Sequence, residues 1–181
     1  CTVTSGSSTC AFACAAAWNG YRPLAAVDQT SHFFVPVRFD VLADARVVFV
    51  GIGTTAEQFA RFLPARPGLV VVTASLPTAS LLGTRPVGVI ALGGAIRRDE
   101  LTCVGPVAAA TLTRFRFDLA IIGAGGLSAK WGLTELDDGE AEIQRLAIER
   151  SARVVVIADG SKIGTAMNAI VTDVGAISTL V

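Results

Sequence analysis

Five short runs of β-branched and aliphatic residues recur along this chain, and each ends in a cluster of glycine, serine or threonine. The runs cover residues 46–50, 69–73, 87–92, 118–122 and 153–158. Apolar residues fill successive positions in them, so both faces of each strand must be covered. Strands of that kind alternating with helices pair in parallel. Helical segments are expected at 56–63, 75–82, 106–115 and 138–150, and a sixth strand at 176–181. Ser75 is placed as the N-cap of the second helix, with Pro77 in its first turn, where proline is tolerated. The fold class is therefore α/β, a mostly parallel sheet with helices on both faces, in one domain over residues 39–181.

Composition agrees with a well-buried core. Hydrophobic residues make up 52% of the 181 and charged residues 17%, with a mean hydropathy of +0.59. No apolar run approaches the roughly 20 residues that a membrane helix needs. The formal net charge is zero, and no Lys/Arg block offers an electrostatic footprint for nucleic acid. Cys1, Cys10, Cys14 and Cys103 form no CxxC pair, and His32 is the sole histidine. No metal site and no cofactor are expected, and the thiols read as reduced in a cytoplasmic protein. Trp18 and Trp131 read as packing residues.

Residues 1–38 differ from the rest. They are rich in Ser, Thr, Ala and Cys, lack the basic start and long apolar stretch of a signal peptide, and hold no pair of basic amphipathic helices. They are left unassigned, as a linker or partly disordered segment.

The stretch Val47-Val48-Phe49-Val50-Gly51-Ile52-Gly53-Thr54-Thr55 reads as a strand, a tight turn and a helix start. Unpaired N–H groups and the positive end of the helix dipole suit an anion there. Comparable clusters follow the other strands: Thr73, Ala74 and Ser75; Gly93 and Gly94, with Arg97 and Arg98 beyond; Gly123 to Gly126; and Asp159, Gly160, Ser161 and Lys162. Ordinary turn chemistry accounts for any one of them. Five together outline a crevice at the carboxyl ends of the strands, where open α/β sheets bind ligands, and its donors suit a small phosphorylated polyol.

The order Gly53-Thr54-Thr55, Thr73-x-Ser75-Leu76-Pro77, Leu92-Gly93-Gly94 with Arg97, and Val104-Gly105-Pro106 resembles one family. It continues with Phe117-Asp118-x-Ala120-x-x-Gly123-Ala124-x-Gly126, Gly132-Leu133-Thr134, Glu140-x-Glu142 and Asp159-x-Ser161-Lys162. These residues, over about 40–181, resemble the C-terminal effector domain of the deoxyribose-operon-repressor (DeoR) family of bacterial transcription regulators. The resemblance implies the fold of ribose-5-phosphate isomerase and the CoA transferases. It also implies a sugar-phosphate effector, a homodimer or homotetramer, and DNA contact only through a helix-turn-helix domain not found in these residues.

Site roles follow as expectations. Gly51, Gly53, Thr54, Thr55 and Lys162 would hold the phosphate. Thr73, Ser75, Glu140 and Glu142 would bond the sugar, and Gly93, Gly94, Gly123 and Gly125 would let backbone approach it. Glu140 and Glu142 read equally well as a first turn that complements the helix dipole, and Arg97 and Arg98 as surface charges. The chain departs from the family at Gly51, Ala74 and Gly125, where members usually carry Asp, Asn and Asp. A glycine at 125 supplies no carboxylate for proton transfer, which favours a sensor without catalytic residues. The alternative is an isomerase-like or CoA-transferase-like enzyme in the same crevice.

Overall fold

The computed structural model describes residues 42, 44–64 and 66–181. The readings of residues 1–38, of Cys1, Cys10 and Cys14, and of Trp18 and His32 lie outside them. Chain order runs β1 (Val47–Val50), α1 (Thr54–Phe62), β2 (Val70–Thr73), α2 (Leu76–Leu82), β3 (Gly88–Ala91), β4 (Ala95–Arg97) and β5 (Thr102–Val104). It continues with α3 (Pro106–Leu112), β6 (Leu119–Gly123), β7 (Gly126–Ser128), β8 (Gly132–Glu135), α4 (Asp138–Glu149), β9 (Val154–Ile157), β10 (Ala169–Thr172) and β11 (Thr179–Leu180).

The main sheet has six strands in the order β11-β9-β6-β1-β2-β3, and every pairing within it is parallel. Side chains alternate across the sheet and divide the core in two. Val48, Val50, Val71, Leu119, Ile121, Val155 and Ile157 pack with Ala56, Phe59, Ala60 and Leu82 of α1 and α2. Phe49, Val72, Ala120, Ile122, Val154 and Val156 pack on the other face with Ala108, Leu112, Ile143 and Ala147 of α3 and α4. Both faces are covered, which is why these strands read as unbroken apolar runs. Ile143 and Ala147 of α4 are fully buried in this core, and Leu146 is half-buried against it.

The parallel strands and the four helices stand where the sequence pattern placed them, with no end shifted by more than three residues. Other parts differ. β4 and β5 form an antiparallel pair, and β10, β8 and β7 form a second antiparallel sheet. Most of these strands have three residues, too short for alternation to register, and glycines mark their ends. The expected strand at 176–181 shrinks to two residues, because Asp173 caps a short 3-10 turn, Val174–Ala176, just before it. Trp131 is not a core residue. It is 48% exposed at the β7–β8 turn, with Lys130 Nζ 4.6 Å from its ring centre.

Sheet order also sets where neighbouring strand-end loops turn apart. From β1 the chain winds through α1 and α2 to β3, then returns to the other side of β1 at β6 and continues to β9 and β11. The strand order therefore reverses between β1 and β6. A crevice opens at the carboxyl ends of the strands at such a point.

Candidate functional site

Two of the four helices begin with a side-chain cap and two do not. Ser75 Oγ accepts from Thr78 N–H (3.2 Å) at α2, and Asp137 Oδ1 accepts from Glu140 N–H (3.0 Å) at α4. α1 starts at Gly53, whose φ of 91° is open to glycine but strained for other residues, and no side chain caps it. The N–H groups of Thr54, Thr55 and Ala56 belong to the first turn, where no carbonyl of the same helix reaches them. Thr54 is exposed and Thr55 half-buried, so this end of α1 presents donors and two hydroxyls just past the carboxyl end of β1. α3 likewise starts at an uncapped glycine, Gly105, but with Pro106 as its first residue.

Gly51 stands beside these donors without being one of them. Its N–H is taken by Ile121 O (2.8 Å), and a Cβ there would lie 3.1 Å from that oxygen. Its contribution is closeness between β1 and β6. On the far side of β6, Lys162 ends the 3-10 turn Gly160–Lys162, which Asp159 caps through Ser161 N–H (2.7 Å). Hydrogen bonding by Ser161, helped by the Lys162 charge, holds the Asp159 carboxyl below its usual range. The half-buried Lys162 therefore stands one strand away from β6 and two from β1.

The predicted sugar ligands separate into two groups. Thr73 and Ser75 are buried at the end of β2. Thr73 Oγ1 accepts from Ser75 N–H (3.1 Å), which fixes the loop and leaves the hydroxyl protons as donors. Gly123 closes β6 against Ile52, where a Cβ would be 2.8 Å from Ile52 O. Gly93 borders open space, whereas Gly94 abuts Val104 O and the start of α3. Glu142 does not join the site. It lies exposed on α4, while Glu140, Ile143 and Gln144 of the same helix face inward.

Glu140 is buried, and Arg97 Nη1 donates to it at 2.9 Å. Asp137 and Asp99 each approach the same guanidinium at 3.7 Å. Burial pushes the Glu140 carboxyl up, and Arg97 counters that. The hydrogen bond to Glu140 in turn raises Arg97. Arg97 is thus no free surface charge: it ties the β4–β5 hairpin to the start of α4.

One acidic group escaped the sequence reading. Glu135 ends β8 opposite the glycine strand end, and its Oε1 accepts from Gly125 N–H (3.1 Å) and Gln144 Nε2 (2.9 Å). Its Oε2 would stand 2.6 Å from a Cβ at position 125. Burial raises this carboxyl too. The expectation that Gly125 leaves this wall without an acid is therefore corrected. The available signal was Glu135 two residues after Gly132-Leu133, but without the antiparallel β7–β8 pairing nothing aimed it at Gly125. Among the described residues, no cluster of three or more His, Cys, Asp or Glu could hold a metal ion.

Residues 38–181 match the family model described as the DeoR C terminal sensor domain. The HTH-type transcriptional regulator GlpR of Haloferax volcanii is 37% identical over 123 residues, covering 68% of this chain and 48% of that protein. The HTH-type transcriptional repressor CsqR of Escherichia coli is 31% identical, covering 68% of this chain and 48% of that protein. The glycerol-3-phosphate regulon repressor of Escherichia coli is 32% identical, covering 68% and 49%. The chain spans about half the length of these relatives. Among solved structures, ribose 5-phosphate isomerase A from Methanocaldococcus jannaschii superposes with a TM-score of 0.46 at 18% identity, covering 65% of this chain and 46% of that one.

Proposed function

From the premise that this chain belongs to the DeoR family of transcription regulators, as its sensor domain, we propose that the crevice between β1 and β6 binds a phosphorylated sugar. In this reading the uncapped start of α1 holds the phosphate, with Lys162 as a neighbouring cation, and Thr73, Ser75 and the glycine strand ends meet the sugar. The observation that carries it is the uncapped α1 N-terminus at Gly53, placed where the strand order reverses. The occupied state would favour one arrangement of the domain, or of its oligomer, and so alter DNA binding by a helix-turn-helix elsewhere in the protein. The name of the glycerol-3-phosphate regulon repressor accords with a phosphorylated polyol as effector. Repression and a cytoplasmic location belong to the same proposal.

A thermal-shift screen with phosphorylated trioses, tetroses, pentoses and hexoses, each beside its unphosphorylated counterpart, tests this. Stabilisation by phosphorylated members alone is expected. Thr54→Asp puts a negative charge among the first-turn donors at an exposed position and should abolish that stabilisation. An unchanged shift in the variant would mean the phosphate sits elsewhere. The isomerase-like reading keeps one observation in its favour, the half-buried carboxyl of Glu135 beside Gly125. Turnover of any stabilising sugar phosphate would establish it.

A further inference from the structure

Position 125 and position 135 face each other across the antiparallel β7–β8 ladder. The register Gly126↔Thr134, extended by one residue, sets Gly125 against Glu135. Side chains opposite each other in such a ladder share one space, their Cβ atoms being about 4.5–5.5 Å apart. Here only one of the two residues has a side chain, and it leans across. Glu135 Oε1 is fastened by Gly125 N–H and Gln144 Nε2, with Leu136 N–H near the same carboxylate. Oε2 lies over the glycine, 2.6 Å from where its Cβ would stand. A carboxylate supplied from β8 thus lies beside Gly125, two residues past the end of β6.

We propose that Glu135 is the carboxylate of the effector site and accepts a hydrogen bond from a sugar hydroxyl there. The proposal rests on the reading of the crevice as a sugar-phosphate site. It assigns the polyol end of the ligand to the Gly125 side and the phosphate to the α1 side. Gln144, fully buried on α4, is the positioning residue: its amide fixes Oε1 and keeps the carboxylate turned toward β6. Glu140, an acid whose charge acts on Glu135, is engaged by Arg97 and so leaves the acceptor role to Glu135.

The test compares D-ribose 5-phosphate, glycerol 3-phosphate and inorganic phosphate by titration calorimetry on wild type and on Glu135→Ala and Glu135→Gln. Both variants are expected to bind the polyol phosphates about tenfold or more weakly, a loss of the size that one charge-assisted hydrogen bond gives. Inorganic phosphate should stay within about twofold on that scale. Equal weakening of all three probes would show a general structural effect and overturn the assignment, as would unchanged binding. Wild type that binds none of the probes would overturn the sugar-phosphate reading itself, a different result from wild type and Glu135→Ala binding alike. A melting-temperature cycle checks the placement without any ligand. Gly125→Asp should lower the midpoint by about 3 °C more in wild type than in a Glu135→Thr background. Additive effects would mean that Glu135 does not fill the space at position 125.

Discussion

Lys162 and Glu135 illustrate how differently two polar residues near one crevice can be read before their neighbours are known. Lys162 follows a strand in a Gly-Ser-Lys turn, so its neighbourhood is local and visible in sequence. In the proposed site its ammonium would act on the phosphate as a point charge. Lys162→Ala should therefore weaken phosphorylated ligands by about 1.5–3 kcal/mol, while unphosphorylated counterparts change little; paired calorimetric titrations would measure the split. Glu135 depends on pairing between strands of three and four residues, which no periodicity reports. Asp118 is a third kind. It looks like a family motif residue, yet its Oδ2 accepts from the N–H groups of Arg46 (2.7 Å) and Val47 (3.0 Å) and pins the start of β1 to β6. Those bonds hold its carboxyl below the usual range, so its stabilisation is present above about pH 4 and fades as pH falls. Asp118→Asn should cost about 1 kcal/mol near pH 7, reduced from the usual charge-assisted value because the group is exposed. In denaturant titrations the gap between wild type and variant should close toward pH 3.

Elements with long apolar faces were legible, and those held by pairwise polar contacts were not. β1, β2, β6 and β9 announce themselves because both faces are buried, and α2 because Ser75 and Pro77 mark its start. The β4–β5 hairpin shows no such pattern, and its Ile96 is 52% exposed. What anchors it is the Arg97–Glu140 pair, 43 residues apart in sequence, together with the Ser75↔Thr102 bridge. Replacing Arg97 by Met should loosen the hairpin and leave Glu140 buried without its cation. The side chain of Glu140 is 6% exposed and that of Arg97 22%, so the cost at pH 7.5 should be about 2–3 kcal/mol, under the value for a fully buried pair. Without Arg97 the Glu140 carboxyl loses the main counterweight to the burial that raises it. A carboxyl raised in the folded state destabilises when ionised, and that penalty disappears as pH falls through its folded value. Urea midpoints for Arg97→Met and wild type should thus lie closer at pH 5 than at pH 7.5; an equal gap at both would show that Glu140 is not what the arginine stabilises.

At the scale of the molecule, one sheet divides two cores, and β1 and β6 belong to both. A ligand at their carboxyl ends would contact α1 from one layer, and β7 and the Lys162 turn from the other part of the chain. Its binding should therefore tighten segments that are distant in sequence but share this edge. A ligand at about 100 times its dissociation constant adds about 2.7 kcal/mol, which for a domain of this size raises the melting point by about 5–10 °C. Hydrogen exchange shows where that free energy acts. With D-ribose 5-phosphate, protection should rise together at residues 51–57, 123–127 and 159–164, and remain unchanged at 114–118 and 150–153, on the opposite edge of the sheet. Inorganic phosphate should protect the first and third of these segments and leave 123–127 as in the free protein, because only the polyol reaches Glu135. Protection centred on the hollow along α3, lined by Pro106, Val107, Ala110, Thr111 and Arg114, would move the ligand off the strand ends. The role of the α1 turn would then have to be abandoned.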